Sequence, residues 1–561
     1  MSTHHDWWLA LGDAGASAER ATWQAAPLSV FGQAPAASRN QNTFVSGAVW
    51  LSNRAQLLRT LPTADAALTD AEIIAELWET HGTNAVRFLQ GQFGIAVWDS
   101  RQRALWLSRD AVGAATVYYS AKGATVYAAS RLRTLAQRLA PPLDLVALRD
   151  YLCCAFVPGE RTMWQGVSEL RPGTLLRLPA GERRTYWEIR EQLTDEAQPL
   201  AWHAERLRAA LEEVVSECLP AAEPVGCYLS GGLDSSAVVA LAQRLHDRPV
   251  HTYSIHFGAE TPNELEFSSL VAAHCRTAHH ILEIKTAQMW ELLPETMAAL
   301  DDPIGDPLTI PNLILGRAAK QSVNVILNGE GGDPCFGGPK NQPMLLNRLY
   351  RPALDAAADD LLPSYLASFQ KCANDLPRLL LPEVWRAVKD EPSVFAPELA
   401  PEFGEAGDFL NRLMFINTKF KGADHILTKV NNLTRHCGLR GLSPLFDQRV
   451  VALSLTIPPE FKLSGAEEKA VLKAAVSELL PTRILQRPKS GMMVPVQLWF
   501  RAYWRKQARA LLTHRRARIR EFLNPAVVDD WLNYRGDTWS RYGVKLWLLV
   551  SLEFWLRAVR G

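Results

Sequence analysis

The chain has few of the features that mark disulfide frames, zinc sites and membrane spans. Its 561 residues include only 8 cysteines, and none has the CxxC spacing of zinc or redox sites. The N-terminal "MSTHHDWWLALGDA" lacks the basic segment and long apolar run of a secretory signal. The apolar stretch "LWLLVSLEFWL" is short and carries Glu553, so we expect a buried amphipathic helix there. These absences predict a cytoplasmic protein with reduced thiols.

The chain also has no excess of charge of either sign. Lys and Arg together number 60, against 59 for Asp and Glu. This balance disfavours an overall electrostatic attraction to nucleic acid or to an anionic membrane, and we expect neither partner. The basic segment "RKQARALLTHRRARIR" is then interpreted as a solvated helix face. The length exceeds that of one ordinary hydrophobic core and predicts at least two domains.

Two kinds of hydrophobic pattern divide the chain. Residues 1–140 contain short apolar runs typical of strands, such as "TFVSGAVWL" and "FGIAVWDS", and one helical segment, "TDAEIIAELWETHG". We predict an α+β domain with mostly antiparallel strands there, followed by a connector over 141–200. Residues 201–561 begin with apolar strands that alternate with helices, which predicts a parallel α/β sheet. The C-terminal part of this region is predicted to be mostly helical.

The stretch "YLSGGLDSSA" has the composition of a phosphate-binding loop. Ser230, Gly231 and Gly232 follow an apolar strand and precede a helix. Glycines let the backbone approach a ligand closely, and the helix N-terminus then presents N–H groups to an anion. Asp234 would repel phosphate unless it holds a divalent cation that bridges to the phosphates. The stretch lacks the GxxxxGK[ST] pattern of a Walker A loop.

A second strand also ends in glycines and acids, in "ILNGEGGDPCFGGP". Glu330 and Asp333 lie three residues apart in a loop that is almost all glycine. If this strand neighbours the first one, Asp333 can face Asp234 across one metal ion. Two carboxylates from separate strand ends suit Mg²⁺ bound to a nucleotide pyrophosphate.

The motifs SGGLDSS, GEGGD and FGG together resemble those of the asparagine synthetase superfamily, a group of ATP pyrophosphatases. The resemblance extends over nearly the whole chain. The segment "TDAEIIAELWETHGTNAVRFLQGQFGIAVWDS" resembles the N-terminal glutaminase domain, and "EKAVLKAA" and "QRPKSGMMVPVQLW" resemble C-terminal helical segments. The resemblance implies two domains. The first is an Ntn-hydrolase-like, class II glutaminase-type domain, and the second is a parallel-sheet ATP-pyrophosphatase domain with a helical C-terminal part.

The resemblance also assigns roles at matching positions. Asp234 and Asp333 would hold Mg²⁺, and Lys489 would neutralise charge that develops on the α-phosphate and pyrophosphate. Glu330 would lie near the reacting carbonyl and orient the attacking amine or take its proton. The residues expected to bind ATP are Leu229, Ser230, Gly231, Gly232, Asp234, Ser235, Ser236, Ser254, Ile255 and Gly329.

The N-terminal region departs from the glutaminase pattern at the residues that carry the chemistry. Glutamine-dependent relatives have a catalytic cysteine directly after the initiator Met, whereas this chain has Ser2 and no cysteine before Cys153. Ser46 precedes Gly47 where those enzymes have an asparagine of the oxyanion hole. Asp70 matches the site for the substrate amine, but it would have no remaining role there. We therefore predict a degenerate domain that does not hydrolyse glutamine.

Without a glutaminase, the amine must be free ammonia or part of the molecule that carries the carboxylate. The second route is that of β-lactam synthetases and lasso-peptide cyclases. Glu330 stands where the β-lactam enzymes usually have tyrosine, and Pro334, Cys335 and Pro339 depart from the ordinary synthetase pattern. "NGEGGDPCFGGPKN" most resembles the lasso cyclases.

That resemblance implies Mg-ATP as cofactor and a precursor core peptide as substrate, with a leader-binding protein and a leader peptidase as partners. An ammonia-dependent asparagine synthetase and a β-lactam-type synthetase remain the alternatives.

Overall fold

The structure is a computed structural model that forms two compact units. The first comprises Met1–Asp144 and Gly159–Ile189, and the second comprises Leu145–Pro158 and Arg190–Gly561. The predicted connector, 141–200, is thus divided between them, because Ser168–Glu169 and Thr174–Leu178 form strands that pair within the first unit. The residues described are 6–12, 20–62, 65–122, 125–193, 195–258, 261–338, 371–392, 408–464, 467–488, 493–535 and 541–560.

The first unit contains two antiparallel sheets. Numbered along the chain, the strands form one sheet in the order β10-β8-β9-β1-β3-β2 and a second in the order β12-β11-β7-β6-β5-β4. Their bounds are β1 Trp8–Leu11, β2 Trp23–Ala25, β3 Leu28–Phe31, β4 Ala36–Ala37, β5 Thr43–Leu51, β6 Gly91–Asp99, β7 Ala104–Arg109, β8 Tyr118–Lys122, β9 Thr125–Ala129, β10 Ser168–Glu169, β11 Thr174–Leu178 and β12 Glu182–Thr185. Its helices are Arg54–Thr60, Asp70–His81, Gly82–Phe88 (3₁₀) and Leu132–Leu139.

Strand β6 shows how alternation builds the two-layer core of this unit. Phe93, Ile95 and Val97 point to a core shared with the helix Asp70–His81. Trp98, on the other face, packs in a core that includes side chains of the opposite sheet. Both faces of β6 are therefore buried, which explains why its sequence is almost continuously apolar.

The helix predicted from "TDAEIIAELWETHG" begins and ends where its sequence signals place it. Thr69 is the N-cap, and its backbone N–H donates to the Glu72 carboxylate at 2.6 Å while Glu72 N–H donates to Thr69 Oγ1 at 3.3 Å. This reciprocal pair is a capping box. Gly82, at φ +56°, follows the last turn in a conformation that other residues rarely adopt.

The second unit is built on a parallel sheet of five strands in the order β15-β14-β13-β16-β17. Every neighbouring pair is parallel. The bounds are β13 Val225–Tyr228, β14 Val250–His256, β15 Ala278–Glu283, β16 Val325–Leu327 and β17 Arg440–Leu442. Sequence patterns predict the first four, but β17 is too short to stand out. A small antiparallel hairpin, β18 Leu463–Ser464 and β19 Glu467–Glu468, follows.

Helices account for most of the remaining described residues of this unit. The α-helices are Leu145–Cys154, Leu200–Cys218, Leu233–Leu245, Leu265–His274, Thr286–Glu291, Leu293–Ala299, Thr309–Lys320, Gly332–Phe336, Leu376–Leu379, Pro382–Val388, Phe409–Ile416, Thr428–His436, Gln448–Ser454, Ala470–Ala475, Thr482–Leu485, Val496–Trp499, Arg505–Leu512, Pro525–Leu532 and Tyr542–Arg560. Asn417–Leu427 and Phe500–Trp504 are π-helical, and short 3₁₀ turns are Ala373–Asp375, Pro444–Phe446, Pro459–Phe461 and Arg518–Glu521. These helices confirm the expected helical C-terminal part.

The apolar C-terminal stretch is a buried helix, Tyr542–Arg560. The carboxylate of Glu553 is buried, and it accepts from Ile519 N–H at 2.9 Å and from Arg557 Nε at 2.6 Å. Among the described residues, no helix has the length and hydropathy needed to cross a bilayer. All eight cysteines are free thiols, as the sequence predicts.

Candidate active site

The strand order brings the two glycine-rich motifs to one edge of the parallel sheet. Strand β13 pairs with β16 on one side, with Cys227 opposite Leu327, and with β14 on the other. Because parallel strands share their carboxyl edge, the loops that follow β13, β14 and β16 meet there. This is the arrangement under which Asp234 and Asp333 were expected to approach each other.

The first loop is closed by its own serines. Ser230 Oγ lies 3.0 Å from Ser235 Oγ, and the Ser235 hydroxyl is 3.2 Å from the Gly232 carbonyl oxygen. Gly231 has φ +76°, which favours glycine. The buried Ser236 hydroxyl has no hydrogen-bond partner. The loop leads into the helix Leu233–Leu245, whose first N–H groups face the same edge and suit an anion such as phosphate.

The second loop needs its glycines because its backbone lies very close to the first loop. A Cβ on Gly329 would lie 2.5 Å from the Ser235 backbone nitrogen. A Cβ on Gly332 would overlap the carboxylate of Asp234. Gly331, at φ +110°, supplies the left-handed turn between Glu330 and Asp333. The repeated glycines of "NGEGGD" therefore let the two loops pack against each other.

We expect Gly332→Ala to lower ATP-dependent AMP formation by about a hundredfold, because the new methyl group displaces the Asp234 carboxylate. AMP release is the measurement, and circular dichroism checks that the fold is kept. Gly441→Ala, in strand β17, is the matched comparison, since its Cβ would also meet a side chain at close range, that of Thr434 at 2.6 Å and not that of Asp234, and should cost far less AMP formation. Equal losses in the two variants would contradict this steric interpretation.

The residues expected to form the adenine side lie on β14 and at the end of β13. Leu229 N–H donates to the Tyr253 carbonyl at 2.9 Å. The Ser254 hydroxyl donates to the Leu229 carbonyl at 2.5 Å. Leu229, Ser254 and Ile255 are all buried. The Ser254 side chain therefore fixes the start of the first glycine-rich loop.

Lys469 is the site residue that sequence reasoning missed. Its ammonium donates to both carboxylate oxygens of Asp234, at 2.7 and 2.6 Å, and to Asp333 Oδ1 at 2.6 Å. The lysine side chain is only 3% exposed. Two carboxylates that both contact one ammonium can both reach one small cation, and oxygen donors of this kind fit Mg²⁺. The segment "EKAVLKAA" resembles the family, but nothing in its sequence marks this lysine as a site residue.

Arg487 is a second residue that the sequence does not predict at this site, and it contacts the first glycine-rich loop. Its guanidinium donates to the Gly231 carbonyl at 2.9 Å, pairs with the Glu264 carboxylate and lies 4.0 Å from the centre of the Phe267 ring. Arg487 thus fixes the loop to the helix Leu265–His274. The predicted catalytic Lys489 lies outside the described residues.

Glu330 faces a buried charged network. Lys429 Nζ lies 2.6 Å from Asp306 Oδ2, and His425 Nε2 lies 3.4 Å from the same oxygen. Burial alone would lower the pKa of Lys429, but the charges of Asp306 and Glu330 outweigh it and raise that pKa. Burial lowers the pKa of His425 to about 4, so its imidazole is neutral near pH 7. The Glu330 backbone N–H donates to Asn328 Oδ1 at 3.0 Å.

Pro334 and Cys335, which distinguish this chain from the ordinary synthetase pattern, are buried. The Cys335 thiol is 3.5 Å from the Leu445 carbonyl, and burial raises its pKa to about 12. These two side chains therefore pack beneath the loop and do not line a solvent-facing pocket. Pro339 lies outside the described residues.

Asp70 and Ser46, which lie at positions matched to the glutaminase site, have structural contacts in the first unit. Asp70 accepts from Leu51 N–H at 2.9 Å and from Arg54 at 2.6 Å, which ties the start of its helix to β5 and Arg54. Ser46 is buried within β5 and pairs in register with Ala96 of β6. Ser2 lies outside the described residues.

Comparison with known protein families divides the chain into two parts that correspond to the two units of the structure. The asparagine synthase model matches residues 206–557, which is more than half of the chain. The chain belongs to the asparagine synthase family. A glutamine amidotransferase domain model matches residues 28–187, in the part that forms the two antiparallel sheets. The predicted superfamily and fold class are thereby confirmed.

Three curated relatives are similar over most of their length. A putative glutamine-hydrolysing asparagine synthetase of Mycobacterium bovis is 28% identical over 476 residues, covering 77% of this chain and 71% of the relative. Asparagine synthetase 1 of Bacillus subtilis is 25% identical over 524 residues, covering 87% of this chain and 80% of the relative. A carboxyethyl-arginine beta-lactam-synthase of Streptomyces clavuligerus is 25% identical over 449 residues, covering 78% of this chain and 71% of the relative.

The family establishes the class of chemistry. This asparagine synthase family member is an ATP-dependent ligase that forms amide bonds. The finer assignment of its substrates depends on the residues that differ from the family pattern.

Proposed function

We propose that this enzyme is a lasso-peptide cyclase. It adenylates the side-chain carboxylate of an Asp or Glu within a core peptide and joins it to the peptide's own N-terminal amine. The observation that carries the proposal is that Asp234 and Asp333, from two glycine-rich loops, meet at one ammonium as they would at the cation of Mg-ATP, in a chain with no cysteine before Cys153. Glu330, in place of the usual tyrosine, favours this reaction over β-lactam formation.

In the first step, a peptide carboxylate oxygen attacks the α-phosphorus of ATP, and pyrophosphate leaves with the electrons of the broken P–O bond. Ser230, Ser235 and Ser236, with the backbone N–H groups of their loop, bind the phosphates. Asp234 and Asp333 would hold Mg²⁺, which neutralises phosphate charge when bound. Lys489 would add a further positive charge at the pyrophosphate.

In the second step, the amine nitrogen attacks the acyl carbon, and AMP leaves with the electrons of the broken acyl C–O bond. Glu330 would accept the proton that the amine loses. Lys429, which pairs with Asp306 at 2.6 Å, also interacts with the charge of Glu330, so the glutamate is part of one charged network at this edge of the sheet.

Ring closure around a threaded tail makes an enclosed site advantageous. Both reacting groups belong to one molecule, so holding them in contact replaces a collision by an effectively intramolecular step. We propose a leader-free core peptide as the substrate, and a leader-binding protein and a leader peptidase as the partners that deliver it.

The test compares substrates with Mg-ATP present. We expect leader-free core peptides to drive release of AMP and pyrophosphate and to yield a product that has lost one water and resists proteases. Free aspartate with ammonia should cause little release of AMP and pyrophosphate. Asparagine formed from aspartate and ammonia would instead make this an ammonia-dependent asparagine synthetase. This is the second candidate because the chain is similar to asparagine synthetases of the glutamine-hydrolysing kind. Cyclisation of a small amino diacid would favour a β-lactam-type synthetase.

We also expect glutamine to be inert with this enzyme. Adding glutamine to any productive reaction should not change the rate of AMP formation, and no glutamate should appear in a coupled glutamate assay. The physical reason is that a serine hydroxyl at position 2 is far less ionised than a thiol near neutral pH. Glutamate release that depends on ATP turnover would contradict the proposed loss of the glutaminase.

A further inference from the structure

The ammonium of Lys469 occupies the position in which the two proposed metal ligands meet. It contacts three of their four carboxylate oxygens, two from Asp234 and one from Asp333, at 2.6–2.7 Å. A divalent cation needs the same oxygens at about 2.1 Å for Mg²⁺. The ammonium and the metal therefore cannot use this carboxylate pair at the same time.

The surroundings fix the carboxylates in this place. Gly332 packs against the Asp234 carboxylate and Gly338 against that of Asp333, so neither aspartate can withdraw freely. The Asp234 side chain is 12% exposed and that of Asp333 is 27% exposed. Two carboxylates held together with so little water would repel each other strongly without a neighbouring positive charge.

The backbone of Lys469 is also held in an unusual conformation. Its φ is +57°, a left-handed value that lysine rarely adopts. Its N–H donates to the Lys462 carbonyl at 2.6 Å, just before the helix Ala470–Ala475. Strained positions of this kind persist where the surrounding structure enforces them, and they concentrate at functional sites. The backbone conformation places the start of the lysine side chain, while its flexible four-carbon stem would let the ammonium withdraw when a metal ion takes its contacts.

We propose that Lys469 is an exchangeable counter-cation for the Asp234–Asp333 pair. It neutralises the two carboxylates while the site holds no nucleotide, and the divalent cation that enters with ATP displaces it. Lys469 is thus a positioning residue that keeps the metal ligands together and makes metal binding depend on nucleotide. This inference rests on the proposed metal role of the two aspartates.

The test measures Mn²⁺ binding without nucleotide, by electron paramagnetic resonance of the free ion. Wild-type enzyme should bind Mn²⁺ weakly, and Lys469→Gln should bind it at least tenfold more tightly because the carboxylates are no longer neutralised. Lys473→Gln is the matched control, since Lys473 lies on the next turn and is 3.7 Å from Glu467. It should behave like the wild type. Equal or weaker Mn²⁺ binding by Lys469→Gln than by the wild type would overturn the exchange.

A second measurement uses only the wild-type enzyme. It therefore still tests the proposal if the Lys469→Gln protein fails to fold. Trace acetylation of the wild type, read by peptide mass spectrometry, should show at least a threefold rise in Lys469 reactivity when millimolar Mn²⁺ is added together with a non-hydrolysable ATP analogue. Lys473 should not change. Unchanged Lys469 reactivity would make the lysine a permanent structural clamp. Absence of Mn²⁺ binding in every protein, even with a non-hydrolysable ATP analogue, would remove the metal role itself and the exchange with it.

Discussion

Asp234→Asn should reduce AMP formation by about a thousandfold or more, the largest effect that we expect from a single substitution. Asparagine retains the size of the side chain but loses the negative charge, so the site no longer attracts a divalent cation to the phosphates. A loss of several kcal/mol of transition-state stabilisation corresponds to a factor of this size. ATP–pyrophosphate exchange with the productive substrate is the measurement.

The control for this variant is Asp247→Asn, an exposed aspartate just beyond the helix that carries Asp234. It should keep wild-type activity. Asp234→Asn also leaves Lys469 with one carboxylate fewer, so the thermal unfolding of both variants should be compared before rates are interpreted. AMP formation by a folded Asp234→Asn enzyme at a near-normal rate would rule out the proposed metal role.

Glu330→Gln should separate the two chemical steps. The amide formed per enzyme should fall by about a hundredfold, the usual contribution of a general base. ATP–pyrophosphate exchange should fall much less, because the carboxylate attacks phosphorus without losing a proton. The measurement is therefore the ratio of product amide to exchange in the same preparation.

A matched control for Glu330 is Glu291→Gln, at the exposed end of the helix Thr286–Glu291. It should leave both steps unchanged. An equal loss in exchange and amide formation would place Glu330 in substrate binding and not in proton transfer.

The sequence predicts the fold well where local signals and long-range packing agree. The helix Asp70–His81 has its cap and its terminal glycine in the sequence, and the strand β5 occupies all nine residues of "TFVSGAVWL". The parallel order around β13 follows from apolar strands alternating with helices. Strand β17 has only three residues, and it belongs to the sheet because β16 pairs with it, which no local pattern reveals.

The candidate site is predicted only where its residues lie within a motif. Asp234 and Asp333 stand next to glycines in short, recognisable stretches, so their approach can be predicted once the strands are placed. Lys469 is 235 positions from Asp234 along the chain, and a single lysine at the start of a short helix resembles any surface lysine. Arg487 is similar, since its contact with Gly231 depends on tertiary packing. Long-range ionic contacts leave no periodic pattern in a sequence.

The burial of Pro334 and Cys335 has a consequence for anyone who wishes to redirect this enzyme to new substrates by directed evolution. Random changes at these two positions would mostly be removed by selection for folding, because both side chains are enclosed. Glu330 and Asp333 in the same loop are partly exposed, and changes there alter chemistry first. A library that fixes 334 and 335 and varies partly exposed residues at the same sheet edge would therefore contain a larger fraction of folded, informative variants.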